Sequence, residues 1–216
     1  MHTILYSANS CLAIKTTFEV AATDPELLLE YLQDCGPVSE RKIRLWSCAC
    51  VRRVWHQIEN EASQRAGEVA ERYADGNASF DDLVRAGRAA RSMYLAPLTV
   101  DTAVETAAVA AIGLGVEPPG PTVLTLTGIP VQANERAAQA ALFRHIIGNP
   151  FRPLTSLDRW PVTVIALAQA LYQGDPIAFA LHDALQETGH AEFAAHFMEA
   201  QHPKGCAWLD TILCKS

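Results

Sequence analysis

The amino-acid sequence predicts an all-α protein, a compact array of about nine helices in two packed lobes. Half of the 216 residues are hydrophobic and 19% are charged, which is typical of a chain that folds around a core. Alanine is abundant and aromatic residues make up only 7%, a balance that favours close-packed helices over a β-sandwich. Capping residues and Gly/Pro breaks recur at helical spacing along the chain, which supports the same class.

In the N-terminal half, each predicted helix has a recognisable start or stop. Asp24 before Pro25 begins the first helix, and Gly36-Pro37 ends it. Ser39 is a candidate N-cap for a helix that runs to about Asn60. A following helix ends at Gly76, and Ser79 with Asp82 resembles a capping box that opens the next one. An alanine-rich stretch, 99–115, is the last predicted helix of this half.

A Pro/Gly-rich segment, 113–130, divides the single predicted domain 1–216 into lobes of about 24–112 and 130–216. At most a minor β element is expected there, near 122–128. The second lobe is predicted to hold helices within 132–148, 162–174, 175–189, 191–201 and 205–215.

The stretch "LWSCACVRRVWHQIEN" raises the question of a metal site, because Cys48 and Cys50 are one residue apart. Its apolar residues recur at helical spacing and form an unusually wide apolar face. On a helix the two thiols point about 200° apart, so they cannot hold one zinc ion together. We therefore expect both cysteines to pack in the core as small hydrophobic residues.

The arginines near this face have two interpretations. Asp183 and Asp210 lie inside apolar helical patterns and need cationic partners, which predicts internal ion pairs between the lobes. In the alternative interpretation, the arginines and a nearby histidine line a pocket that binds an anion. Its candidate residues are Arg52, Arg53, Arg152 and His56.

A second candidate site lies near the C-terminus. His196, His202 and Cys206 converge on a turn that Pro203 and Gly205 impose, and these residue types bind zinc. The spacing is not a standard zinc motif, and a fourth ligand has to come from elsewhere, with Cys214 or His190 as candidates. The alternative places the histidines in caps and on the surface, with Cys206 in the core.

Catalytic motifs are scarce. The chain has no Gly-x-Ser-x-Gly elbow, no phosphate-binding loop and no His-Glu-x-x-His pair. His145, beside Arg144, is a candidate general base, but no nucleophile accompanies it in the sequence. Whether the protein is an enzyme therefore stays open.

Charge and segment composition bear on partners and compartment. The net charge of −7 argues against a nucleic-acid partner. The sequence contains no run of 18 apolar residues, so no membrane-spanning helix is expected. The N-terminus lacks the pattern of a signal peptide, so we expect a cytoplasmic protein with reduced thiols. The expected partner is another protein, and self-association is left open.

Several blocks together resemble an uncharacterised bacterial family found notably in planctomycetes. The blocks are "RKIRLWSCACVRRVWH", "AGEVAERYADG", "FRHIIGNPFRP", "ALAQALY", "LHDALQETG" and "HPKGCAWLDTILCK". The family patterns are RLFACACCRRIWH, GNPFRP, LADALEEAG and HxRGCWVVDLLLGK, and the similarity covers roughly 40–216 apart from 78–129. Val51 and His190 depart from positions where the family often has cysteine. The residues that match at the candidate sites are Arg52, Arg53, His56, His202, Cys206 and Asp210.

The resemblance implies a helical protein with an accessory or interaction role. The function predicted from the sequence is thus a noncatalytic protein-interaction or accessory module, with its wide helical faces as the binding surface. The alternative is a metal- or anion-dependent enzyme that uses the Arg/His pocket or the His/Cys turn, with zinc as the candidate cofactor.

Overall fold

A computed structural model describes residues 28, 39–53, 55–58, 60–92, 133–149, 154–155, 159–199 and 201–215. All regular structure in this part of the chain is helical, which confirms the predicted all-α class. Several predicted features lie outside the described residues: the first predicted helix except Leu28, the alanine-rich helix, the linker 113–130 and the β element near 122–128. Arg152 also lies outside them. No described helix is long and apolar enough to cross a bilayer.

Eight α-helices and one 3-10 turn, Trp55–Gln57, make up this part. The α-helices are α1 Glu40–Arg53, α2 Glu61–Ala74, α3 Phe80–Ser92, α4 Ala133–Ile147, α5 Val162–Gln173, α6 Ala178–Glu187, α7 Ala191–His196 and α8 Ala207–Leu213.

The helix boundaries follow the capping residues. The Lys42 backbone N–H donates to Ser39 Oγ at 3.3 Å, so Ser39 caps α1. At the start of α3 the capping box is reciprocal: Asp82 N–H donates to Ser79 Oγ, and Ser79 N–H donates to Asp82 Oδ2, each at 3.1 Å. Gly76 adopts a φ of +73° after α2, as predicted for a left-handed C-terminal cap.

The prediction of one helix from Ser39 to about Asn60 is wrong. The α-helix ends at Arg53, and the 3-10 turn follows it. Asn60 has an extended backbone, and its Oδ1 accepts hydrogen bonds from the N–H groups of Ala62 and Ser63, which caps α2. Because an N-cap residue is non-helical, the chain has to leave the helix before it.

The wide apolar face of α1 is core and not binding surface. Its two cysteines enter different clusters: Cys48 packs with Val69 and Leu83 of α2 and α3, whereas Cys50 packs with Phe143 of α4. This confirms that the two thiols point apart. Trp46 is fully buried, and its Nε1–H donates to the Gln139 carbonyl oxygen at 3.1 Å. Helix α1 therefore connects α2 with α4, a helix of the second predicted lobe.

The C-terminal helices form a second apolar core. Helix α5 packs against α6 and α8, and α6 packs against α7. Leu181, Phe197 and Leu209 are fully buried in this cluster. Helix α8 also contacts α4. As a result, the end of α4, the end of α7 and the start of α8 come together.

Five polar side chains form a buried ion-pair network between α1, α5, α8 and the end of α2. They are Arg41, Lys42, Asp75, Tyr172 and Asp210. Asp210 is only 2% exposed, and its carboxylate binds Arg41 Nη1 and Lys42 Nζ, each at 2.6 Å. Arg41 also donates to Asp75 and to the Tyr172 hydroxyl, which itself donates to Asp75 Oδ1 at 2.6 Å.

The two aspartates predicted to form internal ion pairs have different environments. Asp210 pairs with Arg41 and Lys42, two residues from the polar side of α1, and not with Arg52 or Arg53. Asp183 is exposed on α6. The difference arises because α8 lies between helices, whereas Asp183 faces outward from α6.

Candidate metal centre

The three C-terminal residues predicted as metal ligands lie together. His196 ends α7, His202 lies in the following loop, and Cys206 is the N-cap residue of α8. His196 Nε2 is 3.3 Å from Cys206 Sγ, and His202 Nδ1 is 3.9 Å from the same sulfur.

A fourth donor comes from α4. One ring nitrogen from each of His145, His196 and His202 and the Cys206 sulfur all lie within 4.8 Å of one another. These four residues are named the histidine–cysteine cluster. The His145 ring centroid is 4.7 Å from that of His196 and 5.4 Å from that of His202.

The residues proposed from the sequence as fourth ligand lie elsewhere. His190 contacts Trp160, with a ring-centroid separation of 5.2 Å, and Cys214 is exposed at the end of α8. His145, interpreted from the sequence as a candidate general base, occupies the fourth place in the cluster. No local pattern signals this role, because His145 is 51 positions from the nearest other donor and approaches it only through packing of α4 against α1 and α8.

The distances in the cluster suit one zinc ion. Zn–N bonds of about 2.0–2.1 Å and a Zn–S bond of about 2.3 Å, at tetrahedral angles, place donor atoms about 3.3–3.6 Å apart. The observed N–S distances of 3.3 and 3.9 Å bracket this range. The widest pair, within 4.8 Å, has to close by about 1 Å, which a change of side-chain torsion provides.

The turn before α8 is built for a close approach. Gly205 has a φ of +82°, and a Cβ at this position would lie 2.8 Å from Leu45 Cδ1 of α1. Only glycine adopts this backbone without strain and fits beneath Leu45. The turn therefore brings Cys206 against α1 and α4 while Cys206 itself is fully buried.

Neighbouring groups orient two of the imidazoles. His202 Nε2 lies 3.0 Å from the Glu199 carbonyl oxygen, which can only accept, so Nε2 carries the proton and Nδ1 presents its lone pair towards Cys206. His196 stacks on Trp208 at an interplanar angle of 15°. A hydrogen bond from the second ring nitrogen to a carbonyl is the usual support of a metal-bound histidine.

Burial determines the protonation states of the cluster. Burial, with neighbouring histidines adding to it, lowers the pKa of His145 to about 4 and that of His196 to about 3. Burial also lowers the pKa of His202 and raises the pKa of the Cys206 thiol to about 12. At neutral pH the cluster therefore holds three neutral imidazoles, the form that binds metals, and one thiol.

One polar atom of the cluster has no internal partner. His145 Nε2 is buried and meets no hydrogen-bond partner among the described residues. A buried polar atom without a partner costs about 1–3 kcal/mol, and a bound ion near the ring is one way to recover that cost.

A cleft of about 720 Å³ adjoins the cluster. His145 and His202 line it, together with Arg52, Arg53 and Lys204. The lining also holds three acidic residues, Glu71, Asp175 and Glu199, so its carboxylates equal its arginine and lysine side chains in number.

The arginines predicted to bind an anion are only partly brought together. Arg52 and Arg53 both line the cleft, but Arg52 forms a two-pronged ion pair with Glu71, with both distances 2.8 Å, and stacks on Trp55. Glu71 therefore already matches the charge of Arg52. His56 is exposed on the 3-10 turn and is not part of the cleft lining. The anion-binding role of these residues stays a prediction.

No protein-family model, curated protein or solved structure matches this chain. The resemblance to the planctomycete family therefore stays a prediction, and the functional interpretation rests on the geometry.

Proposed function

We propose that this chain is a noncatalytic accessory module whose helices are held together by one zinc ion in the histidine–cysteine cluster. The observation that carries the proposal is the convergence of three imidazoles and one thiol within 4.8 Å. Four protein donors complete a tetrahedral zinc shell, whereas catalytic zinc usually has three and keeps one position for water. The donor count thus favours a structural ion.

The origin of the donors supports a structural role. They come from the end of α4, the end of α7, the loop after α7 and the start of α8. An ion at this point cross-links segments that come from different helices. Binding energy of this kind adds directly to folding stability.

The exposed apolar residues support a protein partner. Val162 is 83% exposed and Ile165 is 41% exposed, and their spacing places them on one face of α5. Phe179 on α6 is 55% exposed. Contiguous exposed apolar patches are typical of surfaces that contact another protein, so these helices are the first place to map a partner.

Metal analysis of the purified protein tests the zinc proposal. We expect about one zinc per chain in protein prepared without chelators, because the cluster has a complete donor set. His145→Ala should lose the ion, while His182→Ala should keep it. His182 is the matched control because its Nδ1 contacts the Ala194 carbonyl oxygen, outside the cluster. A wild-type protein free of zinc after growth with added zinc contradicts the proposal.

The cleft favours a second candidate function, a metal-dependent enzyme. His145 and His202 belong to both the cluster and the cleft wall, so a ligand in the cleft can approach an ion in the cluster. Replacement of zinc by cobalt and titration with azide separates the two functions. A closed four-donor shell leaves the visible cobalt spectrum unchanged, whereas a change on adding azide supports an open, catalytic position.

A further inference from the structure

Lys42 connects the ion-pair network to the histidine–cysteine cluster. Its ammonium group has three acceptors: Asp210 Oδ2 at 2.6 Å, the Gly205 carbonyl oxygen at 2.7 Å and the Ile146 carbonyl oxygen at 2.9 Å. An ammonium group has three hydrogen-bond donors, so all of them are used. The side chain is only 13% exposed, and a satisfied, largely buried polar group of this kind is held rigidly in place.

Each acceptor belongs to a residue that is either next to a candidate metal ligand in the sequence or hydrogen-bonded to one. Ile146 follows His145 at the end of α4, and Gly205 precedes Cys206 in the turn. The Asp210 backbone N–H donates to the Cys206 carbonyl oxygen at 2.9 Å, as the first hydrogen bond of α8. One ammonium group therefore binds the backbone on both sides of the cluster.

The two backbone segments are distant in sequence. His145 and Cys206 are 61 positions apart, and α4 packs less extensively against α8 than against α1. Lys42 lies in the first turn of α1, so its hydrogen bonds fix both donor segments relative to α1. Groups that hydrogen-bond metal ligands commonly change metal affinity by about 10- to 100-fold when replaced, and Lys42 acts on the residues next to two such ligands.

We infer that Lys42 is a positioning residue of the metal centre, which sets the separation between the donors of His145 and Cys206. The inference rests on the proposed zinc site. It assigns to Lys42 a role in metal affinity and not only in folding.

Arg41 provides the matched control. It shares Asp210 with Lys42 and carries the same charge, but its other hydrogen bonds go to Asp75 and Tyr172 and not to the Gly205 or Ile146 carbonyl group. Arg41→Met and Lys42→Met both remove one cation from Asp210. Only Lys42→Met releases the Gly205 and Ile146 carbonyl groups.

The experiment compares zinc affinities of the folded wild-type, Lys42→Met and Arg41→Met proteins by competition with a chromophoric chelator. We expect affinity to fall about 10- to 100-fold in Lys42→Met and to stay within about threefold of wild type in Arg41→Met. Cobalt spectra report whether the sulfur–cobalt band shifts in Lys42→Met alone. If Lys42→Met does not fold, Lys42→Gln, which keeps two donors, replaces it and should show a smaller loss.

Equal affinities in wild type and the Lys42 variant overturn the inference and leave the zinc proposal standing. Equal losses in the two methionine variants also overturn it, because they indicate a general effect of the network. A wild-type protein that binds no zinc overturns both.

Discussion

The ion-pair network and the histidine–cysteine cluster lie next to each other but differ in how their polar groups find partners. In the network two cations meet two carboxylates and a hydroxyl, and every distance is 2.6–3.2 Å. In the cluster the donors meet one another at 3.3 Å and more, and His145 Nε2 has no partner among the described residues. Opposite charges satisfy each other inside a fold, whereas the cluster gathers four groups that can each donate a lone pair to a metal ion.

The largest expected effect comes from removing the shared carboxylate of the network. Asp210→Asn leaves Arg41 and Lys42 partly buried without their common counter-charge, and the free energy of unfolding should fall by about 3–5 kcal/mol. Urea denaturation measures it. The control is Asp183→Asn, whose exposed side chain should change stability by about 0.5 kcal/mol or less. Similar losses in both variants would argue that Asp210 is not a network centre.

Zinc binding at the cluster should raise the free energy of unfolding by nearly as much as Asp210→Asn lowers it. At free zinc about 100-fold above its dissociation constant, the free energy of unfolding rises by about 2.7 kcal/mol, and the melting temperature by about 5–10 °C. Thermal melts with zinc and with chelator measure this shift. Cys206→Ala should abolish it, whereas Cys214→Ala should keep it, because Cys214 is exposed outside the cluster. A shift that survives in Cys206→Ala points to binding elsewhere.

The turn at which the two regions meet allows a finer comparison. Gly205 and Gly189 have nearly identical φ values of +82° and +83°, but only at Gly205 would an added Cβ meet a neighbour, Leu45 Cδ1 at 2.8 Å. Alanine at either site costs about 1–2 kcal/mol of backbone strain. Gly205→Ala should cost about 1–3 kcal/mol more, from overpacking. Urea denaturation of both variants measures the difference, and equal losses would mean that Leu45 moves aside freely.

The pH dependence of zinc binding sharpens the description of the cluster. His145 and His196 have pKa values of about 4 and about 3, so they are neutral well below pH 7. The Cys206 thiol has a pKa of about 12 and must lose one proton when zinc binds. Apparent affinity should therefore rise by about tenfold per pH unit between pH 7 and pH 9, as one proton is released.

Chelator competition at several pH values measures this slope, and Cys214→Ala is the control that should retain it. A slope of two or more means that a histidine is still protonated above pH 7. A flat profile means that the thiol does not bind zinc.

The helical elements were largely predictable because their signals are local. The Ser79–Asp82 capping box and the left-handed Gly76 depend on residues within one turn of each other. The opposite directions of Cys48 and Cys50 follow from helical geometry alone. The end of α1 was missed because Asn60 caps the next helix, a signal that competes with a continuous apolar pattern.

The candidate site was only partly predictable. Three of its four donors lie within 11 residues, so the turn at Pro203 and Gly205 already brings them together. The fourth donor, His145, belongs to a helix that reaches the site through apolar packing on α1. The partners of Asp210 were likewise hidden, since Arg41 and Lys42 lie on the polar side of α1.

The sequence by itself determined the all-α class and most of the helix boundaries among the described residues, because capping and periodicity act over a few residues. Only the tertiary structure decided which polar groups meet. Long-range packing of α1, α4 and α8 placed His145 against Cys206 and Lys42 between them. Hydrophobic burial drives that packing without regard to direction, so the polar contacts it creates have no pattern along the chain.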